Sequence, residues 1–147
     1  MKIVYVVNEA SFFLSHRLWL AREALDRGAS VTLICGKNTG EHRLEEYGID
    51  HMTVPMSRSG TNPFSEWRTF SKLLSLYKKL QPDLVHHVTI KPVLYGTVAA
   101  RMAGIGGVVN AVPGMGFVFT RRGARARVRR WLVFQFYRFA LSHPNMR

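Results

Sequence analysis

Apolar runs about five residues long alternate along this chain with longer stretches whose apolar positions recur every three or four residues. Lys2–Val7 is apolar after its lysine, Val31–Cys35 is a second such run, and Asp50–Val54 is a weaker third. Asp83–Val88 and Gly107–Val112 are the fourth and fifth. Continuous apolar runs this short read as strands buried on both faces, as in parallel sheets. The intervening stretches read as helices. Ser15 is placed to cap one from His16 to Arg27, with Leu14, Leu18, Ala21 and Leu25 as its stripe and Gly28 behind it. Asn8–Leu14 before it reads as a loop. Glu41–Tyr47 is a short helix, and Asn62-Pro63 starts a long one that ends at Leu80, before Pro82. Trp67, Phe70, Leu74 and Tyr77 are the expected buried face of that helix. Val93–Ala103, with Pro92 ahead and Gly104 behind, is the next, and a last helix runs from about Arg125 to Ser142. The order β-α-β-α-β-α-β-α-β-α predicts an α/β fold: a Rossmann-like parallel sheet of about five strands with helices on both faces.

In such sheets ligands gather at the carboxyl ends of the strands. The stretch Pro82–Phe119 supplies most of that edge: His86, His87, Thr89, Lys91 and the loop Pro113–Phe117. Adjacent histidines on one strand point to opposite faces, so one of the pair is expected to pack inside. The turn after the first strand, Asn8-Glu-Ala-Ser-Phe-Phe-Leu14, holds no glycine, which argues against a dinucleotide fingerprint. No Walker A loop is present, and no clustered set of metal ligands emerges.

Composition narrows the class. The chain has 147 residues, 47% of them hydrophobic, enough for one domain with a core. Its single cysteine, Cys35, excludes an internal disulfide framework. The N-terminal apolar run is too short for a secretory signal, and no run approaches the length of a membrane span. The formal charge is +12 and unevenly placed. Asp83 is the last carboxylate side chain, and all but two of the net positive charges fall after it. Such asymmetry suits a polyanionic partner: nucleic acid, an anionic membrane or a phosphorylated ligand. No nucleic-acid recognition motif accompanies it, so nucleic acid is not an expected partner.

Gln81-Pro-Asp-Leu-Val-His86, its continuation His87-Val-Thr-Ile-Lys-Pro-Val-Leu-Tyr-Gly96, and Val109-Asn-Ala-Val-Pro-Gly-Met-Gly116 resemble the N-terminal domain of glycosyltransferase family 4, of the GT-B fold. Phe13-x-x-His16-Arg17, Gly28-x-x-Val31 and Arg58-Ser-Gly-Thr-Asn-Pro63 fit the same pattern. The nearest group is the bacterial transferases that act on polyprenyl-diphosphate-linked sugars. The resemblance implies a two-domain enzyme in which this half receives the acceptor. The other half, which would hold the nucleotide sugar and is absent here, binds the donor in cis or in trans. It implies retaining transfer from the nucleotide sugar as substrate, with no cofactor and no metal, by a protein peripheral to the cytoplasmic face of the plasma membrane. Residues 1–147 are then one acceptor-side domain, expected to be inactive alone; the alternative is a non-catalytic half that recruits a donor-domain partner to the membrane. Some relatives carry a histidine in the loop after the fifth strand; Val112-Pro113 has none, so no catalytic residue is assigned.

The acceptor-binding candidates are His16, Arg17, His87, Lys91, Gly114 and Gly116. The glycines let backbone N–H groups approach a diphosphate or sugar, against the bland reading of a tight turn. Lys91 opens a helix, where the dipole disfavours a cation unless an anion shares the site. His16 and Arg17, at the start of their helix, are placed to hold a phosphate or simply to face water. His87 either bonds the acceptor or is a satisfied core histidine. Phe12 and Phe13 either touch lipid or sugar or pack inside. Arg121, Arg122, Arg125, Arg127, Arg129 and Arg130, followed by Trp131 and more aromatics, suit an anionic membrane surface. Of these, Arg125, Arg127, Arg129, Arg130 and Trp131 are the membrane-contact candidates; the bland alternative is interdomain packing.

Overall fold

Strand β1 (Lys2–Val7) occupies the middle of a five-stranded, all-parallel sheet. The computed structural model describes residues 1–36, 42–56 and 62–113, and three further helical positions, 134, 135 and 138. The strands are β2 (Ser30–Cys35), β3 (Asp50–Thr53), β4 (Leu84–Val88) and β5 (Gly107–Ala111), in the order β3-β2-β1-β4-β5. β1 sets Ile3 to Val7 opposite Val31 to Cys35 on one side, and Ile3 to Val6 opposite Leu84 to His87 on the other.

The side-chain period of two assigns each strand's residues to two cores. Ile3, Tyr5 and Val7 join Val31, Leu33 and Cys35 beneath α1 (Ala10–His16) and α2 (Leu18–Asp26). Val4 and Val6 join Ile34, Val85 and Val108 beneath α4 (Pro63–Leu80) and α5 (Thr97–Met102). The short α3 (His42–Glu45) adds Leu44 to the first core. Helices on both faces explain why the strands read as unbroken apolar runs. Cys35 is fully buried at the end of β2.

Three local expectations are corrected. The stretch after β1 is not a loop: α1 already starts at Ala10, behind Glu9 as an extended N-cap with no side-chain cap bond. The helix breaks at Arg17 (φ −130°, ψ −10°), so His16 ends α1 and Arg17 heads α2. Ser15 caps nothing; its hydroxyl turns back to the carbonyls of Ser11 and Phe12. On α4 the Asn62 cap forms, its side chain accepting from the Phe64 N–H at 3.0 Å. The buried face, however, is Thr69, Leu73, Leu76 and Tyr77, and Trp67 is 64% exposed. Thr69 decides this rotation by donating to the Pro55 carbonyl at 2.6 Å, which ties the smaller residue inward. Finally, the helix after β4 opens with a π-helical turn, Pro92–Gly96, before α5.

Candidate functional site

The sheet order reverses between β1 and β4. From β1 the chain first moves outward through β2 and β3, then returns to the other side of β1 for β4 and β5. At such a switch point the two carboxyl ends diverge and open a crevice. Here the ends are Val7-Asn8 and Val88-Thr89, with the α1–α2 junction over one face and the start of α4 over the other.

On the α1 side, Tyr5 and His86 are register partners whose rings lie 5.2 Å apart. Phe13 packs edge-on to Tyr5 at 5.3 Å, so the core reading holds for this phenylalanine. Arg17 lies close enough for its charge to act on both Tyr5 and His86. Burial pushes the Tyr5 phenol up, and Arg17 partly offsets that. For His86 burial and Arg17 act together and lower its pKa from 6.5 to about 4. Arg17 donates to the His16 carbonyl at 3.1 Å, while its Nε is buried without a partner. His86 Nε2, Thr89 Oγ1 and Asn8 Oδ1 are likewise buried and unpartnered. Thr89 also holds a left-handed φ of 81°, costly for a β-branched residue and of the kind that collects at functional sites.

The buried neutral imidazole has a measurable consequence. The unfolded chain takes up this proton near 6.5, the folded one only near 4. Between those values the unfolded state binds more protons, so stability is full above the upper value and falls as pH drops toward the lower. The loss is up to about 3 kcal/mol. Urea midpoints at neutral and mildly acidic pH measure it, and His86→Phe, which keeps a ring beside Tyr5, should flatten the dependence.

On the α4 side, Lys91 does have an anion at its helix start, and that anion belongs to the protein. Its Nζ meets Glu66 Oε1 at 2.6 Å, both side chains only 15% exposed. Glu66 lies in the first turn of α4, so the pair ties that turn to the segment after β4. Burial, then the hydrogen bond and charge of Glu66, raise the Tyr95 phenol out of the physiological range. Glu66 Oε2 is buried with no partner.

His86 and His87 do face opposite sides, but both are buried. His87 sits at the centre of a polar cluster: Nε2 with the Tyr77 hydroxyl and Nδ1 with Asn110 Oδ1, each at 2.8 Å. Thr97 donates to the same Asn110 oxygen at 3.1 Å. Asn110 Oδ1 only accepts, so Nδ1 carries the imidazole proton and Nε2 accepts from the Tyr77 hydroxyl, whose phenol burial raises well out of range. The geometry gives His87 a core role, away from any surface the described residues offer a ligand. His16 is exposed, stacked on Phe12 at 4.3 Å and bonded to Ser15 at 2.6 Å. Arg17 and Lys91 thus reach the crevice from opposite faces of the sheet. Gly114, Gly116, Arg125, Arg127, Arg129, Arg130 and Trp131 lie outside the described residues. Glu66 and Asn8 are additions from the structure, whereas Thr89 was already expected at this edge; only the left-over charge on Lys91 hinted at a carboxylate.

A family model described as glycosyl transferase 4-like matches residues 2–143. The chain belongs to that family. Over 145 residues, 99% of the chain, it is 23% identical to an N,N'-diacetylbacillosaminyl-diphospho-undecaprenol alpha-1,3-N-acetylgalactosaminyltransferase of Campylobacter jejuni. Over 105 residues, 69% of the chain, it is 32% identical to a UDP-Gal:alpha-D-GlcNAc-diphosphoundecaprenol alpha-1,3-galactosyltransferase of Escherichia coli. These matches span only 39% and 26% of the two enzymes. Among solved structures, a glycosyltransferase from Rickettsia africae superposes with a TM-score of 0.61 at 20% identity, over 74% of this chain and 28% of that one. At that identity the likeness concerns the fold. Among the described residues no helix is long and apolar enough to cross a membrane.

Proposed function

We propose that this chain is the acceptor-side domain of a retaining glycosyltransferase that moves a sugar from a nucleotide-sugar donor to a lipid-linked saccharide. The observation that carries the reading is a guanidinium, Arg17, with no carboxylate partner among the described residues, at the switch point of a fold whose named relatives act on sugars joined to undecaprenol through a diphosphate. A diphosphate suits an uncompensated cation better than a neutral sugar does. Arg17 and Lys91 bind and orient that group, while the donor's own contacts belong to a further domain, supplied in cis or in trans.

A peripheral position on an anionic membrane goes with a lipid-linked acceptor. It is supported by the outward face of α4. Phe64 is 70% exposed and Trp67 64%, and they line an open groove with Arg68 and Lys72. The only acid of this helix, Glu66, is turned into its pair with Lys91, so the outward face is positive. Aromatic rings beside basic side chains match a headgroup layer. Arg125, Arg127, Arg129, Arg130 and Trp131 are the other candidates for that contact.

One flotation experiment tests both parts. The chain is mixed with neutral or anionic vesicles, with and without GlcNAc-diphosphoundecaprenol. Anionic vesicles should retain it, salt should release it, and the lipid-linked sugar should strengthen retention on both vesicle types. Phe64→Ala with Trp67→Ala should lower retention by anionic vesicles about thirtyfold or more, given roughly 2–3 kcal/mol for two interfacial rings. Retention indifferent to lipid charge would overturn the membrane part. Retention indifferent to the lipid-linked sugar would overturn the acceptor part.

A further inference from the structure

We propose that Arg17, His86 and Thr89 form one anion subsite at the switch point of the sheet, and that His86 binds a proton as the anion arrives. The natural occupant is a phosphate group of the acceptor; that identification rests on the function proposed above, whereas the subsite itself does not.

Two chain segments supply these residues. Arg17 comes from the α1–α2 junction, His86 from β4, and Thr89 from the end of the same strand. Continuing the β1–β4 register from Val6 and His87 sets Asn8 level with Thr89, which puts a second unpartnered side-chain oxygen at the same edge. His86 is 8% exposed, yet its Nε2 has no partner. Buried polar atoms in native proteins almost always have one, so several together at one edge mark a place where something else binds. A phosphate oxygen accepts from the guanidinium N–H groups, a threonine hydroxyl and an imidazole N–H; Asn8 Oδ1, itself an acceptor, is not among these donors. The left-handed turn at Thr89 fits the same purpose, since it holds that residue in a conformation the strand would not adopt for its own sake.

The proton follows from charge. The groups acting on His86 are Tyr5 from β1, which stays neutral, and Arg17; its partner on β5 is the apolar Val109. Without an anion, the guanidinium and the apolar surroundings keep the imidazole neutral. An anion neutralises the guanidinium's field and accepts from an imidazolium, so the ring gains one proton from solvent while no bond to phosphorus changes. Anion affinity is therefore greater in mild acid than above neutrality.

The test is calorimetric titration of the full chain with sulfate, which does not titrate in this range, and with inorganic diphosphate. Titrations run at about pH 5.5 and about pH 7.5 in buffers of different ionisation heat. The wild type should bind both anions several-fold more tightly at the lower pH and take up a proton with sulfate. Arg17→Gln should weaken binding about tenfold or more, as losing one charge-assisted bond does. Arg17→Lys should restore part of that loss. Thr89→Val should weaken binding several-fold. His86→Gln should retain binding but lose the proton uptake and the pH dependence. Each variant is first shown to unfold cooperatively in urea. Sulfate binding unchanged by Arg17→Gln, or proton uptake unchanged by His86→Gln, would overturn the proposal, as would no binding of either anion to the wild type. The two readings fail separately: anion binding that depends on Arg17, without retention by the lipid-linked sugar, keeps the subsite and removes the acceptor.

Discussion

Gly96→Ala should cost the fold about 3–5 kcal/mol, a large share of the 5–15 kcal/mol by which a domain is stable. The reason is not conformational. Gly96 has φ −65°, ψ −41°, which alanine adopts readily and prefers in a helix. The reason is space: a Cβ there would meet the His87 ring at 2.4 Å and the Tyr77 hydroxyl at 3.1 Å. The ring is held on both nitrogens, by Tyr77 from α4 and Asn110 from β5, so it cannot turn aside without leaving those partners buried and unbonded. Overpacking and lost hydrogen bonds therefore add. Urea unfolding measures the sum, and a loss below about 1 kcal/mol would mean that the π-helical turn yields instead of the ring.

Lys91→Met should be nearly as damaging, at about 2–4 kcal/mol, discounted from the fully buried case because the pair keeps some contact with water. The substitution leaves the Glu66 carboxylate beside Tyr95 with one oxygen already unpartnered. Adding Glu66→Gln to Lys91→Met should recover most of the loss, since the stranded charge then goes too. A double-mutant cycle in urea reads this directly; additive losses would show that the two residues act independently. The pair also limits what Lys91 offers a ligand. An arriving anion competes with Glu66 for its ammonium, whereas among the described residues Arg17 has no such internal competitor.

How far the sequence predicted this differs between fold and site for a physical reason. Strands of a sheet covered on both faces must be apolar throughout, so Lys2–Val7 and Val31–Cys35 announced themselves. Asn62-Pro63 and the positive-φ Gly104 marked helix ends correctly, because those residues act through their own backbone. α1 was missed because it has no capping side chain and its aromatic residues carry no clear period. The face of α4 was misjudged because size suggested Trp67, while a hydrogen bond from Thr69 to a distant carbonyl settled the rotation. The site was legible only in part, for the same kind of reason. Arg17 and Lys91 drew attention as cations at sheet-edge positions. Glu66 stands 25 residues from Lys91, and Asn110 stands 23 from His87; no local pattern joins either pair.

The position of β1 has a consequence for synthesis on the ribosome. Of the five described strands, β1 is made before the others yet lies in the middle of the sheet, and its second neighbour is encoded some eighty residues later. The Lys2 N–H reaches the Asp83 carboxylate across that same separation. Through the translation of α4, on the order of seconds, the β1–β3 half-sheet carries an unpaired edge of backbone N–H and C=O groups at Val4 and Val6. The nascent chain is thus most open to wrong strand pairing before β4 emerges, and the arrival of residues 84–88 closes that interval.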